Sequence, residues 1–291
     1  MKKFTLKEVL TAACTWTPPE KREEKSIKPK PQKQSKEFPK KELPNKKEAL
    51  KDYSQLFVKD FMKLAYTRSK WTVWDDFITM FACSISNAVD KSDIHWDERE
   101  KMYLSIVKKY KKSEMDIFPR LAAYVVEALD KNQEQDFLGK LFMNLDLSNE
   151  HNGQFFTPYH VCDFMAKITC DVDSIPKTGP ITINDPACGA GATLIAAANE
   201  LRKIYEKRGL NFQNYVLAVA QDIDQNVGLM CYIQLSLLGV AGFVKIGNSL
   251  SDPVRNGDDL SNYWFTPMYF SDIWQYRRFF DKLKGDSNEE V

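Results

Sequence analysis

Between residues 46 and 145 apolar side chains recur at the i, i+3, i+4 and i+7 spacing of a helix, most plainly in "WDDFITMFACSISNAV" and "FPRLAAYVVEAL". The pattern predicts four or five packed helices, over 46–67, 71–90, 97–112, 116–131 and 134–145. Glycine does not occur before Gly139, which favours uninterrupted helices. Trp71, Trp74, Phe77, Phe81 and Trp96 fall in these segments and are expected in the core.

The periodicity then changes. Asn149 to Gly153 reads as a turn, Thr157 as a helix cap with Pro158 at the first helical position, and Tyr159 to Ile168 as a helix. "GPITIND" is a short β-branched run ending in Asp185, the pattern of a buried strand. "GATLIAAANELRKIYEKRG" reads as a helix, "YVLAVAQDID" as a strand, "NVGLMCYIQLSLLG" as a helix and "GFVKIGNS" as a strand. This βαβαβ order implies a parallel sheet with right-handed crossovers. The expected architecture is therefore α/β, with an arm at 1–45, a helical domain at 46–150 and a Rossmann-like domain at 151–291.

Composition alters this picture at three points. With 43% hydrophobic and 28% charged residues and a formal net charge of +1, overall charge points to no partner. Residues 25–47, however, hold nine lysines against Glu37 and Glu42, and are broken by Pro29, Pro31, Pro39 and Pro44. That stretch reads as a tether or as a basic arm able to meet nucleic acid phosphates. The six cysteines show no CxxC pair and are expected to be reduced and buried, without a zinc site. Lys7 and Glu8 interrupt the apolar N-terminus and no run is long enough to span a bilayer, which favours the cytoplasm.

Candidate chemistry gathers at the ends of the three strands, where βαβ folds bind ligands. Ile183 to Leu194 reads "INDPACGAGATL". Gly189 and Gly191 sit between strand and helix, where the missing Cβ atoms let a ligand approach the backbone. A dinucleotide fingerprint would place a third glycine at position 194, which is Leu. Asp185 would repel a pyrophosphate but suit a cation or a hydrogen-bond donor. Asp222 ends the second strand and can accept from ribose hydroxyls; Asn248, after the third, can meet an adenine edge through its amide. Together these groups describe S-adenosylmethionine. Asp222 and Asp224 are not read as a metal pair, since Asp224 suits a helix cap. His95, His151 and His160 are expected at the surface or at caps.

"NGQFFTP", "DPACGAGATL", "AQDID" and "CYIQLSLLGVAGFVKIGNSL" together resemble the adenine-N6 DNA methyltransferases, closest to the modification subunits of type I restriction systems. The resemblance covers about residues 134 to 250. It implies that Phe156, Thr157 and Pro158 close over the methionine end of S-adenosylmethionine, that Asp185 contacts its amino group directly or through water, and that Pro186 and Ala187 also belong to the cofactor site. It also implies that Gly189 and Gly191 admit its carboxylate and sulfonium, Asp222 its ribose and Asn248 its adenine. Phe156 could instead staple the next helix, and Asn248 could instead be a turn residue before Ser249 and Leu250. The implied partners are DNA and a specificity or other protein subunit.

The family's catalytic tetrapeptide, Asn, Asp or Ser followed by Pro-Pro and an aromatic, does not occur in this chain. In its expected place stands "FTPMYF", where Thr266 replaces the polar residue, Pro267 is kept, Met268 replaces the second proline and Tyr269 supplies the aromatic. Asp252 and Pro253 form a second, displaced candidate pair. After Tyr269 only 22 residues remain, reading as one amphipathic helix, with no room for a target-recognition domain. Two functions stay open: methyl transfer to adenine in DNA, or a catalytically weakened relative acting as a scaffold or regulator.

Overall fold

The computed structural model describes residues 52–92, 94–147, 156–170, 175 and 179–286. The basic stretch 25–47, the turn at 149–153 with His151, and Cys14 lie outside the described residues.

The predicted helices are present as α1 (Tyr53–Leu64), α2 (Lys70–Val89), α3 (Trp96–Val107), α4 (Lys112–Met115), α5 (Phe118–Lys131) and α6 (Phe137–Asn144). The starts of α1, α2 and α6 follow from capping side chains. Asp52 accepts from the amides of Ser54 and Gln55, Ser69 from Thr72, and Asp136 from Gly139. The one helix expected over 97–112 is broken after Val107. Tyr110 turns inward there, its hydroxyl donating to Asp76 at 2.7 Å with the Arg68 guanidinium 4.3 Å from its ring centroid. A buried polar anchor, invisible to periodicity, ends the helix without glycine or proline.

The α/β portion follows with α7 (Tyr159–Thr169), β1 (Ile181–Asp185), α8 (Ala192–Lys207), β2 (Val216–Asp222), α9 (Gln225–Leu237) and β3 (Ala241–Ile246), then β4 (Tyr263–Phe265) and α10 (Asp272–Asp286). Strand order is β1-β2-β3-β4, parallel through β3, with β4 antiparallel to it. Registers such as Ile183 opposite Ala218 and Ala218 opposite Gly242 bring the strand ends Asp185, Asp222 and Ile246 to one edge. The segment "NYWFTPMYF" holds the three-residue β4.

One hydrophobic core crosses residue 150, where a domain boundary was expected. It runs from Phe57, Trp74 and Phe77 of the helices to Leu229, Ile233 and Val244 of the α/β portion. The middle layer is α9, buried from Asn226 to Leu237. Its sequence is apolar on all sides because α2 covers the face turned away from the sheet. No described helix is long and apolar enough to cross a membrane. Trp74, Phe77 and Phe81 are in the core as expected, whereas Trp71 is 41% exposed. Of the described cysteines, Cys83, Cys162, Cys188 and Cys231 are buried and unpaired.

His95 takes the cap position before α3, one of its two expected places, but without a side-chain capping bond. It is buried, with Nδ1 2.6 Å from Asp90 Oδ2 and Nε2 2.6 Å from the Leu260 carbonyl. Arg99, also buried, donates to Ser86 Oγ and Asp90 and to the Tyr263 carbonyl, and lies 4.0 Å over the Trp264 ring. These contacts join α2 and α3 to the start of β4, which is why a three-residue strand holds its place. Burial raises the Asp90 pKa, but hydrogen bonds from His95 and Ser92 outweigh it and hold the carboxyl at about 2, against 3.8 ordinarily. A depressed carboxyl contributes stability above its unfolded pKa and loses it as pH falls through the folded one. The urea midpoint should therefore fall between about pH 4 and about pH 2, and that part of the slope should be missing in Asp90→Asn.

Candidate functional site

The loop from β1 to α8 rises directly from Asp185. Its backbone is pinned at Cys188, whose amide donates to the Gln221 carbonyl at 3.0 Å, and it closes with the Gly191 amide on the Cys188 carbonyl at 2.8 Å. Gly189 has φ +55° and Gly191 φ +93°, both left-handed and suited to glycine. Asp222 reaches across from β2: its Oδ2 accepts from the Gly189 amide and its Oδ1 from the Asp224 amide, each at 2.9 Å. Burial pushes the Asp222 carboxyl above the usual range in spite of these two donors. Asp185 accepts from the Ala187 amide at 3.1 Å and from the Thr193 hydroxyl in the first turn of α8.

The structure thus brings Asp185, Gly189, Gly191 and Asp222 together, with Phe156 alongside. A Cβ on Gly189 would stand 3.4 Å from the Phe156 ring, and that ring packs on Phe142 with centroids 5.3 Å apart. Phe156 therefore serves as a core residue and as a wall of the loop at once. Pro186 and Ala187 stand exposed on the loop. Thr157 and Pro158 are exposed before α7, which starts at Tyr159 with Pro158 in the cap position, one residue later than expected. His160 is exposed in its first turn.

Gly191 differs from its expected part. A Cβ there would lie 2.8 Å from Cys231 Sγ and 3.3 Å from Cys231 Cα. The space left by the missing side chain is filled by α9, so this glycine admits a helix rather than a ligand. The Cys188 thiol is pushed well up, first by its hydrogen bond to Cys231 and then by burial, which makes it a poor nucleophile. Asp224 caps α9 by accepting from the Val227 amide, and no metal-binding cluster occurs among the described residues.

Residues 136–288, more than half of the chain, match the family described as N-6 DNA Methylase. The chain belongs to this family. Among solved structures it is similar to a protein from Listeria monocytogenes described as a class I S-adenosylmethionine-dependent methyltransferase. The two are 15% identical with a TM-score of 0.38 over 69% of this chain and 53% of that one, so the chain spans about half of that protein's length. No curated protein matches.

For an N-6 DNA methylase the expected catalytic position is misplaced, and this corrects the reading of Thr266, Pro267 and Tyr269. Because β4 runs antiparallel to β3, it carries the chain from Tyr263 opposite Lys245 to Phe265 opposite Phe243, away from the glycine loop. Thr266 ends fully buried beside the start of β3, its hydroxyl accepting from the Gly242 amide and donating to the Val240 carbonyl. Tyr269 stacks on Phe265 at 4.6 Å under the Arg278 guanidinium. The displaced pair fares no better: Lys245 Nζ binds both Asp252 Oδ1 and the Pro253 carbonyl.

Asn248 follows its alternative reading, with Oδ1 accepting from the Leu250 and Ser251 amides as a turn residue. Two apolar residues that sequence reasoning passed over flank the strand ends: Ile223, 70% exposed directly after Asp222, and Leu250, 93% exposed. Their signal was an apolar residue in a loop that already carried polar site groups. Thr193 was missed as well, although its place in the first helical turn after the glycines put it in reach of Asp185. A cavity of about 190 Å³ lies beside the end of β3 and the start of α9, lined by His95, Arg99, Gln225, Ile246, Asn262 and Trp264. It shares no residue with the loop, and its His95, Arg99 and Asn262 side chains are bonded within the fold.

Proposed function

We propose that this N-6 methylase family member binds S-adenosylmethionine over the ends of β1 and β2, and that the chain by itself holds the cofactor without transferring its methyl group. The observation that carries the first half is the Asp222 clamp on Gly189, which fixes a ribose acceptor and the glycine loop in one unit. The residues present suit this cofactor. Asp222 keeps unused lone pairs beyond the two backbone donors, Asp185 offers a carboxylate for an ammonium group, and Ile223 offers an apolar surface to a base. When bound, S-adenosylmethionine supplies an electrophilic methyl carbon on sulfur. The role of the chain is to orient it, with Phe156 excluding water from one side and Thr193 holding the Asp185 carboxylate in place.

The second half rests on the burial of Thr266, which leaves the only in-register acceptor of the expected motif sealed against β3. Adenine N6 would need an oxygen acceptor beside the methyl group. A second reading, methyl transfer to adenine in DNA as in a type I modification subunit, therefore needs that acceptor from a partner polypeptide such as a specificity subunit. The open edge of β1, which has no neighbour among the described strands, favours it.

Calorimetry with S-adenosylmethionine should show saturable binding, and labelled cofactor with mixed-sequence DNA should leave the DNA unlabelled when the chain is alone. Absence of binding rejects the cofactor reading. Label on the DNA rejects the claim that the chain lacks its own acceptor.

A further inference from the structure

Gln234 lies in the middle of α9, within "CYIQLSLLG", and has no solvent exposure. A primary amide can make four hydrogen bonds, two at oxygen and two at nitrogen. Here all four are made. Oε1 accepts from the amides of Phe137 at 2.9 Å and Leu138 at 3.1 Å, in the first turn of α6. Nε2 donates to Asp136 Oδ1 at 2.8 Å and to the Ala190 carbonyl at 2.9 Å. The chemistry of the neighbours fixes the orientation, since two N–H groups face one end of the amide and two acceptors the other.

Ala190 is the residue between the two loop glycines. The other partners belong to α6, whose cap Asp136 also accepts from Gly139 at 2.8 Å and whose Phe142 meets the Phe156 ring. Phe156 in turn stands against Gly189. One side chain thus reaches the floor of the loop directly and its aromatic wall through α6. Methionine or leucine would fill the space but would leave the Phe137 and Leu138 amides and the Ala190 carbonyl buried without this partner, so the amide is there for its bonds and not for its volume.

We infer that Gln234 is a positioning residue, holding the glycine loop and the Phe156 wall at the spacing the methionine end of S-adenosylmethionine requires. The inference rests on the cofactor reading above. Gln234 touches no cofactor atom and acts through Ala190 and Phe156.

The test uses the full chain with Gln234→Met, and with Leu64→Ala as a control that opens a cavity in the helical core on α1. Urea unfolding ranks both for stability. Calorimetry with S-adenosylmethionine should show affinity reduced about tenfold or more for Gln234→Met, as expected for a buried carbonyl left unpaired, and unchanged for Leu64→Ala. Equal affinity in Gln234→Met and wild type overturns the inference, and so does an equal loss in both variants. If Gln234→Met does not fold, Gln234→Glu keeps the shape, removes at least one of the two donors and carries the same expectations.

Should the wild type bind no S-adenosylmethionine, the cofactor reading falls, and hydrogen exchange decides the structural claim separately. The amides of Cys188 and Gly191, both bonded within the loop, should exchange faster in Gln234→Met than in Leu64→Ala. Equal protection in the two variants overturns it.

Discussion

Asp222→Ala is expected to weaken S-adenosylmethionine binding by about 100-fold, with calorimetry as the measurement. A hydrogen bond to a charged group contributes roughly 1.5–3 kcal/mol, and about 2.7 kcal/mol corresponds to that factor. The same change also releases the Gly189 amide, so the loop loses its link to β2 beyond the Cys188 amide bond. An affinity within about threefold of wild type would remove Asp222 from the ribose role. The stability of the variant should move differently. Since burial raises the folded pKa of Asp222, its contribution is fully present below the unfolded value and is lost as pH rises through the folded one. Asp222→Ala should therefore show a shallower decline of urea stability on going from acid toward neutral pH. A protein whose binding falls while this decline flattens would tie both effects to one carboxyl group.

Gly191→Ala should cost about 3 kcal/mol or more of unfolding free energy, read from urea midpoints. Two penalties add at this position. The backbone has φ +93°, which an L side chain tolerates poorly, and the new methyl would meet Cys231 at 2.8 Å from sulfur and 3.3 Å from Cα. The sulfur can swing aside, but the α9 backbone is fixed between the sheet and α2. Adding Cys231→Ala to Gly191→Ala should thus restore only part of the loss. Full recovery in the double variant would mean that sulfur contact alone excludes a side chain there, and wild-type stability in Gly191→Ala would mean that neither penalty operates.

These two positions also separate what was readable in the residues from what was not. Asp222 was legible because a β-branched run ending in an acid before a helix leaves little choice of place in a βαβ unit. Gly191 was legible as a glycine with a purpose, but its purpose depended on Cys231, forty residues on, which no local window contains. The burial of His95 and the helix break at Tyr110 were out of reach for the same reason: a polar side chain shows its buried partner, Asp90 or Asp76, only once the fold brings the two together.

Local pattern by itself determined the helices, the three parallel strands, their order along the chain and the loop that carries Gly189. It could do so because periodicity, capping and left-handed glycines depend on neighbours within a turn or two. Only the tertiary structure decided that the helical segment and the sheet share one core, that Gln234 supports the loop, and that β4 folds back beside β3. The last of these moves Thr266 to the far end of the sheet. Its direction is set by contacts from α3, His95 to Leu260 and Arg99 to Tyr263, across more than 160 positions of sequence. Pairing energies at that separation depend on which groups are buried together, and a chain read in order does not contain that information.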